Sequence, residues 1–594
     1  MSYFSKKLVR LSLMVLVIAL FYFACQSKSD ENWQNGQDTS MVRMSEKENG
    51  SFLSRQQLID RLKRNRFDIL IIGGGATGSG AALEAATRGL STALVEANDY
   101  SAGTSSRSTK LVHGGVRYLE TAVKHFDWQQ YELVREALRE RQRFLLNAPH
   151  LTNSLAILTP VYSWFEAIYY LAGLKLYDIM AGKASLGASE FLLKDNAIAR
   201  FPTLKRSGLK GAVLYYDGQF DDARMNVSLI LTAQREGAVP LNYVSVDSLI
   251  RENGKVVGAM VLDQETNQSW PVLAKVVVNA TGAFADTVRK MDNPEAADIM
   301  IPSQGSHVLL PKSFSSIKDG LIIPKTKDGR VIFLLPWLGK TLAGTTDQAE
   351  NITMLPRASE EEVEYILEHV RHYLDVPVKR SDVLATWSGL RPLVKPKTNT
   401  LNTAAISRDH IIDVSPARLI TIVGGKWTTY RKMAEDVVDV AISVGKLSPL
   451  NGSVTKDLKL LGARHYKPSL ARELALFERL PEDIAEHLAK SYGDRVDAVI
   501  DVDNKSKRAR LVEGFPYIEA EVIYAVTHEH ALHATDVIAR RMRLAFLDNH
   551  AARLALPKVI SIMGKQLKWD RDRMHAEMER GTAFLDTMFT KPSK

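Results

Sequence analysis

The stretch from Phe67 to Glu96, FDILIIGGGATGSGAALEAATRGLSTALVE, constrains the fold more than any other part of the chain. The apolar run Ile69–Ile72 reads as a buried strand. Glycines follow, then the small-residue segment Ala81–Arg88, which reads as a helix, then a second apolar run that ends on an acid. Gly73, Gly75 and Gly78 fit the spacing G-x-G-x-x-G, and Glu96 lies 18 residues beyond Gly78. Gly73 permits a tight turn, Gly75 leaves room for a pyrophosphate against the backbone, and Gly78 lets helix and strand pack closely. The helix start offers N–H groups and a positive dipole end to phosphate. Glu96 suits the hydroxyls of a ribose and repels a 2′-phosphate, so FAD or NAD is favoured over NADP. Strand, glycine turn, helix, second strand and acid in this order predict a dinucleotide site rather than an ordinary βα turn.

A chain of 594 residues is too long for one core, and two or three domains are expected. Its net charge of +9, from 77 basic and 68 acidic residues, is mild for this length and suits an anionic membrane surface or an anionic substrate. No concentrated basic tract marks nucleic-acid binding. The single cysteine, Cys25, excludes an intrachain disulfide and a cysteine metal cluster, so redox chemistry must come from a cofactor.

Residues 1–30 read as a signal or anchor. Lys6, Lys7 and Arg10 precede the apolar run Leu11–Cys25, which is short for a membrane span. The preceding Tyr22-Phe23-Ala24 fits a lipoprotein cleavage site poorly, which leaves a signal-anchor or an organellar presequence. Residues 31–66 read as a polar tether and lead-in. The globular part then begins at Phe67. Thr104–Glu120 is rich in hydroxyls, glycines and cations and suits a loop lining a polar ligand. Residues 128–146 predict an amphipathic helix with Leu133, Ala137, Leu138, Phe144 and Leu145 inward. Val161–Tyr177, with only Glu166 and Lys175 charged, reads as a buried helix or as a membrane- or quinone-facing surface. Residues 211–300 read as β-rich and mixed, with Asp221 or Asp222 capping a helix and with Ala280-Thr281-Gly282 closing a strand. Strand, Gly-Gly and helix recur at 417–442 and aim a second helix start at something anionic. Beyond 449–453 strand alternation ends, and 454–594 reads as a separate all-helical domain after interleaved FAD-binding and substrate domains at 67–448. There, the spacing of His528, His530 and His533 does not share one helix face, so no metal site is predicted.

Seven ordered blocks, IIGGGATGSG, TSSRSTKLVHGGVRYLE, VVNATG, QGSH, WSGLRPL, ISRDH and VGGKWTTYRKMAE, resemble the FAD-dependent, quinone-linked glycerol-3-phosphate dehydrogenases over roughly residues 67–590. PYIEAEVIYAV and DVIARRMRLAFL resemble the mitochondrial type more than the shorter bacterial one. The resemblance implies an α/β architecture: a Rossmann-like FAD-binding domain of the D-amino-acid-oxidase/glutathione-reductase type, a mixed-sheet substrate domain and an all-helical C-terminal domain. It implies oxidation of sn-glycerol 3-phosphate to dihydroxyacetone phosphate, with electrons passing to a membrane quinone. The setting is then a bacterial cytoplasmic or mitochondrial inner membrane, and a homodimer is compatible with it. The calcium loops of the animal mitochondrial form have no counterpart pattern here, so calcium regulation is not implied.

A phosphate dianion asks for several cations, Arg above all for its bidentate fork. By resemblance Arg117, Tyr118, Arg391 and Lys426 take the phosphate, with Arg408 as a further candidate. Alcohol oxidation also needs a base, for which His307 is the candidate, and Arg391 suits the developing alkoxide as well. Spacing assigns Gly73, Gly75, Gly78 and Glu96 to FAD. The resemblance adds Ser105, Ser106, Lys110, Gly114 and Gly115 as a second flavin-contacting loop. It also adds Ala280 and Gly282 near the adenine half and Gly425 and Thr428 near the flavin ring and ribityl chain, with His113 as a further flavin-positioning candidate. Two alternatives remain: an amino-acid or amine oxidase of the same fold, which the cations at 117, 408 and 426 disfavour, and a non-catalytic, membrane-tethered flavin-binding protein.

Overall fold

The computed structural model describes residues 52–115, 119, 127–316, 318–324, 326, 330–395, 410–502 and 508–591. Arg117, Tyr118, Arg408 and the N-terminal segment with its signal or anchor reading lie outside them.

Two sheets organise the described residues. In the first, the strand Arg66–Ile72 lies between Gln268–Asn279 and Thr92–Val95, parallel to both. Ile420–Gly424 and Val239–Leu241 extend the parallel set on either side. Thr92–Val95 is buried at every position, as a strand covered on both faces must be. On one face lies the helix Ala76–Thr87, which begins directly after Gly75 and so starts five residues earlier than its small-residue run suggests. Tyr430–Gly445 packs on it at Gly80, where a Cβ would come within 3.0 Å of the Tyr430 ring. On the other face, Arg55–Arg64 sets Leu58, Ile59 and Leu62 against Phe67, Leu70 and Val277. The globular part therefore begins before Phe67. Three apolar residues on one side of a mostly charged helix are enough to dock it, and charged composition hid them.

The second sheet pairs Thr152–Val161 with Gly211–Phe220 and pairs Met300–Pro311 with both Lys340–Gly344 and Ala385–Val394. Asp221 caps the helix Asp222–Arg235 by accepting the Arg224 N–H. The helix at 128–146 runs Trp128–Asn147 and does bury Ala137, Leu138 and Phe144. It leaves Leu133 and Leu145 half-buried and buries Glu140 and Arg141 instead. The Glu140 carboxylate accepts from Arg431 at 2.7 and 2.8 Å, and Arg141 donates to Asp217 at 2.6 Å, so burial here follows charge partners rather than periodicity.

The C-terminal part is helical throughout its named elements, from Leu470–Phe477 to Arg571–Thr587. It is not packed as an island: Val537, Ile538, Phe546 and Leu585 share one core with Leu155, Leu309 and Trp387 of the second sheet. The stretch from 517, which reads as helical, breaks after Glu519–His528 and resumes as a π-helical turn at Asp536–Arg541. Successive residues of an α-helix point about 100° apart; the wider turn lets Arg540 and Arg541 reach the same Asp99. Of the three histidines, His528 stacks on Tyr524 and His530 Nε2 meets Gln234 at 2.8 Å. His533 lies between Glu265 at 2.9 Å and Glu577 at 2.6 Å, which joins a hairpin of the first sheet to the last helix. Burial lowers its pKa, but hydrogen bonds to the Glu265 and Glu577 carboxylates outweigh burial and hold it up at about 9.

The ordinary value is 6.5, so the stabilisation by the charged imidazole is complete below that pH and is lost as pH rises through about 9. We expect His533→Gln to lower stability by about 1–3 kcal/mol near neutral pH. Thermal melts across this range should show the gap to wild type narrowing as pH rises; a constant gap would mean that the imidazole is neutral throughout.

Candidate flavin and substrate site

The glycine turn lies at the carboxyl end of Arg66–Ile72, between neighbouring strands reached by opposite chain directions, the position where open α/β sheets leave a crevice. Gly73 has φ +109°, and a Cβ there would stand 2.7 Å from the Ala280 carbonyl oxygen, so the turn and the Ala280-Thr281-Gly282 segment are in direct contact. At Gly78 a Cβ would come 1.9 Å from the Gly73 carbonyl oxygen, which leaves glycine alone able to close the helix onto the strand. Gly75, at the helix start, offers no side chain of its own as a cap. The Ala76 N–H donates to Ser105 Oγ at 2.9 Å, which brings the 104–115 loop to the same helix end. Glu96 accepts the N–H groups of Gly74 at 2.6 Å and Asn98 at 2.8 Å. It thus holds the turn itself; burial pushes its carboxyl above the usual range, against those two hydrogen bonds.

The second helix start arrives at the same place. Trp427 Nε1 donates to the Ser105 carbonyl at 3.0 Å, and Thr428 Oγ1 donates to the His113 carbonyl at 3.2 Å. Gly425, at φ +75°, and half-buried Lys426 lead into this turn. A helix start with glycine at its cap and a floor closed by glycines fit the diphosphate and ribose of FAD, and the segments around 73–78, 96, 105, 280–282 and 425–428 would hold it.

Lys110, expected at the flavin, turns its side chain inward. Its ammonium is fully buried, 2.6 Å from Asp222 Oδ2 and 2.9 Å from the Ser106 carbonyl, beneath Trp337, Trp387 and Phe546. It braces the loop from below. Burial pulls its pKa down to about 7, with Asp222 opposing. Ser106 likewise lies inward; its carbonyl accepts from both Lys110 and Arg543, the latter at 2.7 Å. Gly114 donates its N–H to Tyr177 Oη at 2.8 Å, and neighbouring Gly115 has φ +85°.

His307 and Arg391 stand on the paired strands Met300–Pro311 and Ala385–Val394, where Ser303 is opposite Arg391 and His307 opposite Trp387. Arg391 Nη1 donates to Asp347 at 3.1 Å and to the Gln304 carbonyl at 3.3 Å. Its Nη2 donates to the Thr346 carbonyl at 2.8 Å and to Thr345 at 3.2 Å. His307 is buried, stacks on Trp387 at 5.2 Å and meets Thr109 Oγ1 through Nε2 at 3.0 Å. Its Nδ1 is buried with no hydrogen-bond partner among the described residues. Burial, then the charges of Lys110 and Arg391, push its pKa well below the usual histidine range.

Composition and motif reading missed Thr109, Arg107 and Arg543. Arg107 Nη1 donates to the Ser388 carbonyl at 3.0 Å and Thr104 Oγ1 to the Leu390 carbonyl at 2.5 Å, so the loop is stitched to the strand that carries Arg391. The SSRSTK run was a signal for the loop, but not for which of its cations faces inward. Asp222, considered only as a cap, instead receives Lys110 and Arg543.

Residues 68–430 match the family model described as FAD dependent oxidoreductase, and 453–574 match that of the C-terminal domain of alpha-glycerophosphate oxidase. The probable mitochondrial glycerol-3-phosphate dehydrogenase of Caenorhabditis elegans is 48% identical over 544 residues, covering 90% of this chain and 75% of that protein. The mitochondrial glycerol-3-phosphate dehydrogenase of Arabidopsis thaliana is 46% identical over 551 residues, covering 89% and 87%. The crystal structure of the glycerol-3-phosphate dehydrogenase from Bacillus halodurans complexed with FAD superposes with a TM-score of 0.73 at 29% identity, covering 91% of this chain and 99% of that one. The chain belongs to the FAD-dependent glycerol-3-phosphate dehydrogenase family.

Proposed function

We propose that the protein oxidises sn-glycerol 3-phosphate to dihydroxyacetone phosphate and passes the electrons to a membrane quinone. The observation that carries this reading is Arg391 and His307 on two paired strands that Thr104 and Arg107 stitch to the loop closing the glycine-lined crevice. Bound FAD supplies the acceptor for the hydride that leaves C2 of the substrate. Arg391, its fork already oriented by Asp347 and two carbonyls, holds the substrate phosphate and the oxygen at C2 as its charge develops. Lys426, Arg117, Tyr118 and Arg408 complete the phosphate site. His307 is neutral at physiological pH and takes the hydroxyl proton, with Nδ1 the atom left for it because Thr109 occupies Nε2. Gly73, Gly75, Gly78, Glu96, Ser105, Gly114, Gly115, Ala280, Gly282, Gly425 and Thr428 frame the cofactor.

In this reading residues 1–30 target or anchor the chain at a membrane and 31–66 lead into the catalytic part. Residues 67–448 then bind cofactor and substrate, and 454–594 form the helical cover. The relatives named mitochondrial and the +9 charge support a membrane setting.

The test is a flavin spectrum of the purified protein before and after anaerobic addition of glycerol 3-phosphate, with glycerol and an amino-acid mixture as controls. Bleaching by glycerol 3-phosphate alone is expected. Bleaching by the amino acids would move the protein to the oxidase reading, and a flavin that no substrate bleaches would leave it non-catalytic.

A further inference from the structure

The helix Trp164–Ala181 presents an apolar face to solvent over four turns. Trp164 is 57% exposed, Phe165 41%, Ile168 50% and Ile179 53%, which is unusual for residues of this kind gathered on one helix face. Leu193, 61% exposed, continues the patch on the strand Glu190–Leu193, whose Phe191 ring lies 5.9 Å from that of Trp164. The rim is basic. Lys194 follows Leu193, and Lys210 donates its N–H to the Val161 carbonyl at 3.0 Å just before the helix. Arg206 shares the loop that reaches Tyr162, Lys175 lies in the face itself, and all four are exposed. The exposed acids of this region are Glu190, Asp195 and Asp375, whose carboxylate accepts the Arg206 N–H at 2.8 Å, one fewer than the four cations.

We infer that this helix lies flat in the headgroup layer of an anionic membrane, apolar face down, with Lys175, Lys194, Arg206 and Lys210 on lipid phosphates. Trp and Phe among aliphatic residues, ringed by Lys and Arg, is the make-up of an interfacial helix. Among the described residues no helix is long and apolar enough to cross a membrane, so this face docks and does not span. The far end of the helix bears on the 104–115 loop. Tyr177 Oη accepts from the Gly114 N–H at 2.8 Å and donates to Asp217 at 2.8 Å. Docking therefore sets the loop that flanks the flavin crevice close to the bilayer, where a quinone resides; that last step alone rests on the dehydrogenase reading above.

The experiment uses the full chain with vesicles of phosphatidylcholine containing phosphatidylglycerol, with and without brominated acyl chains. Brominated lipid quenches wild-type tryptophan fluorescence more than it quenches Trp164→Phe. The triple variant Ile168→Ser, Ile179→Ser, Lys210→Glu binds these vesicles on the order of tenfold more weakly, while its flavin in detergent still bleaches with glycerol 3-phosphate. Equal quenching in wild type and Trp164→Phe overturns the inference. So does equal binding to phosphatidylcholine alone, or a triple variant whose only change is loss of self-association, which would make the face a contact between two copies. Quenching through Trp164 in a protein whose flavin never bleaches keeps the docking surface and rejects the dehydrogenase.

Discussion

Arg391→Ala is expected to keep FAD and to lose about 10²–10³-fold in kcat/KM for glycerol 3-phosphate, the cost of deleting one pre-aimed donor from a site that stabilises developing charge. Both terminal nitrogens of Arg391 are fixed by Asp347, Thr345 and the carbonyls of Gln304 and Thr346, so its fork is oriented before substrate arrives. That rigidity is what a flexible lysine lacks, and Arg391→Lys should recover only a minor part of the loss. FAD should stay because none of the contacts that build the glycine turn involves Arg391. The measurements are flavin content by absorbance, steady-state kinetics with a soluble dye acceptor, and a thermal melt, since the variant also strips Asp347 of a partner. Unchanged kinetics for glycerol 3-phosphate would remove Arg391 from the phosphate site.

Asp99→Ala is expected to destabilise the protein by about 3–5 kcal/mol, because it removes the buried carboxylate that two buried guanidinium groups share, leaving Arg540 to Asp536 and Arg541 to Glu529. Asp99 lies three residues beyond Glu96, fully buried, and accepts from Arg540 Nε at 2.5 Å and from Arg541 Nη2 at 3.0 Å. Asn242 donates to it as well, at 3.2 Å, and the two arginines sit on the π-helical turn whose neighbour Arg543 holds the Ser106 carbonyl and Asp222. Loss of Asp99 thus loosens the helical part from the flavin loop, and cofactor release should accompany unfolding. Burial pushes the Asp99 carboxyl up, but the charges of Arg541 and Arg540 win and hold it well below its ordinary 3.8. Its stabilisation is therefore full above that value and is lost as pH falls through the lowered one. The deficit of Asp99→Asn, which keeps the shape without the charge, should shrink on acidification below about pH 4. A thermal midpoint for Asp99→Asn equal to wild type at neutral pH would show that Asp536 and Glu529 suffice for the two arginines.

The βαβ unit was legible because everything it needs lies within thirty residues. An apolar strand, a glycine at 78 where a Cβ would strike the Gly73 carbonyl, and an acid at the end of the next strand are local requirements. The Asp221 cap was legible for the same reason, since its partner is three residues away. What tertiary structure alone decided is which charge meets which. Lys110 and Arg391 both lie in family-like blocks, yet one is consumed by Asp222, 112 residues on, and the other faces Asp347 beside His307. Asp99 finds its two arginine partners more than 400 residues later. The two ambiguous helices make the same point. Periodicity says which side chains of 128–147 or 164–181 share a face, but not what lies opposite: a buried Arg431 and Asp217 in one case, solvent in the other. A buried charge needs a partner, and for Lys110, Glu140 and Asp99 an essential one comes from more than 100 residues away, where only the folded sheets and helices deliver it.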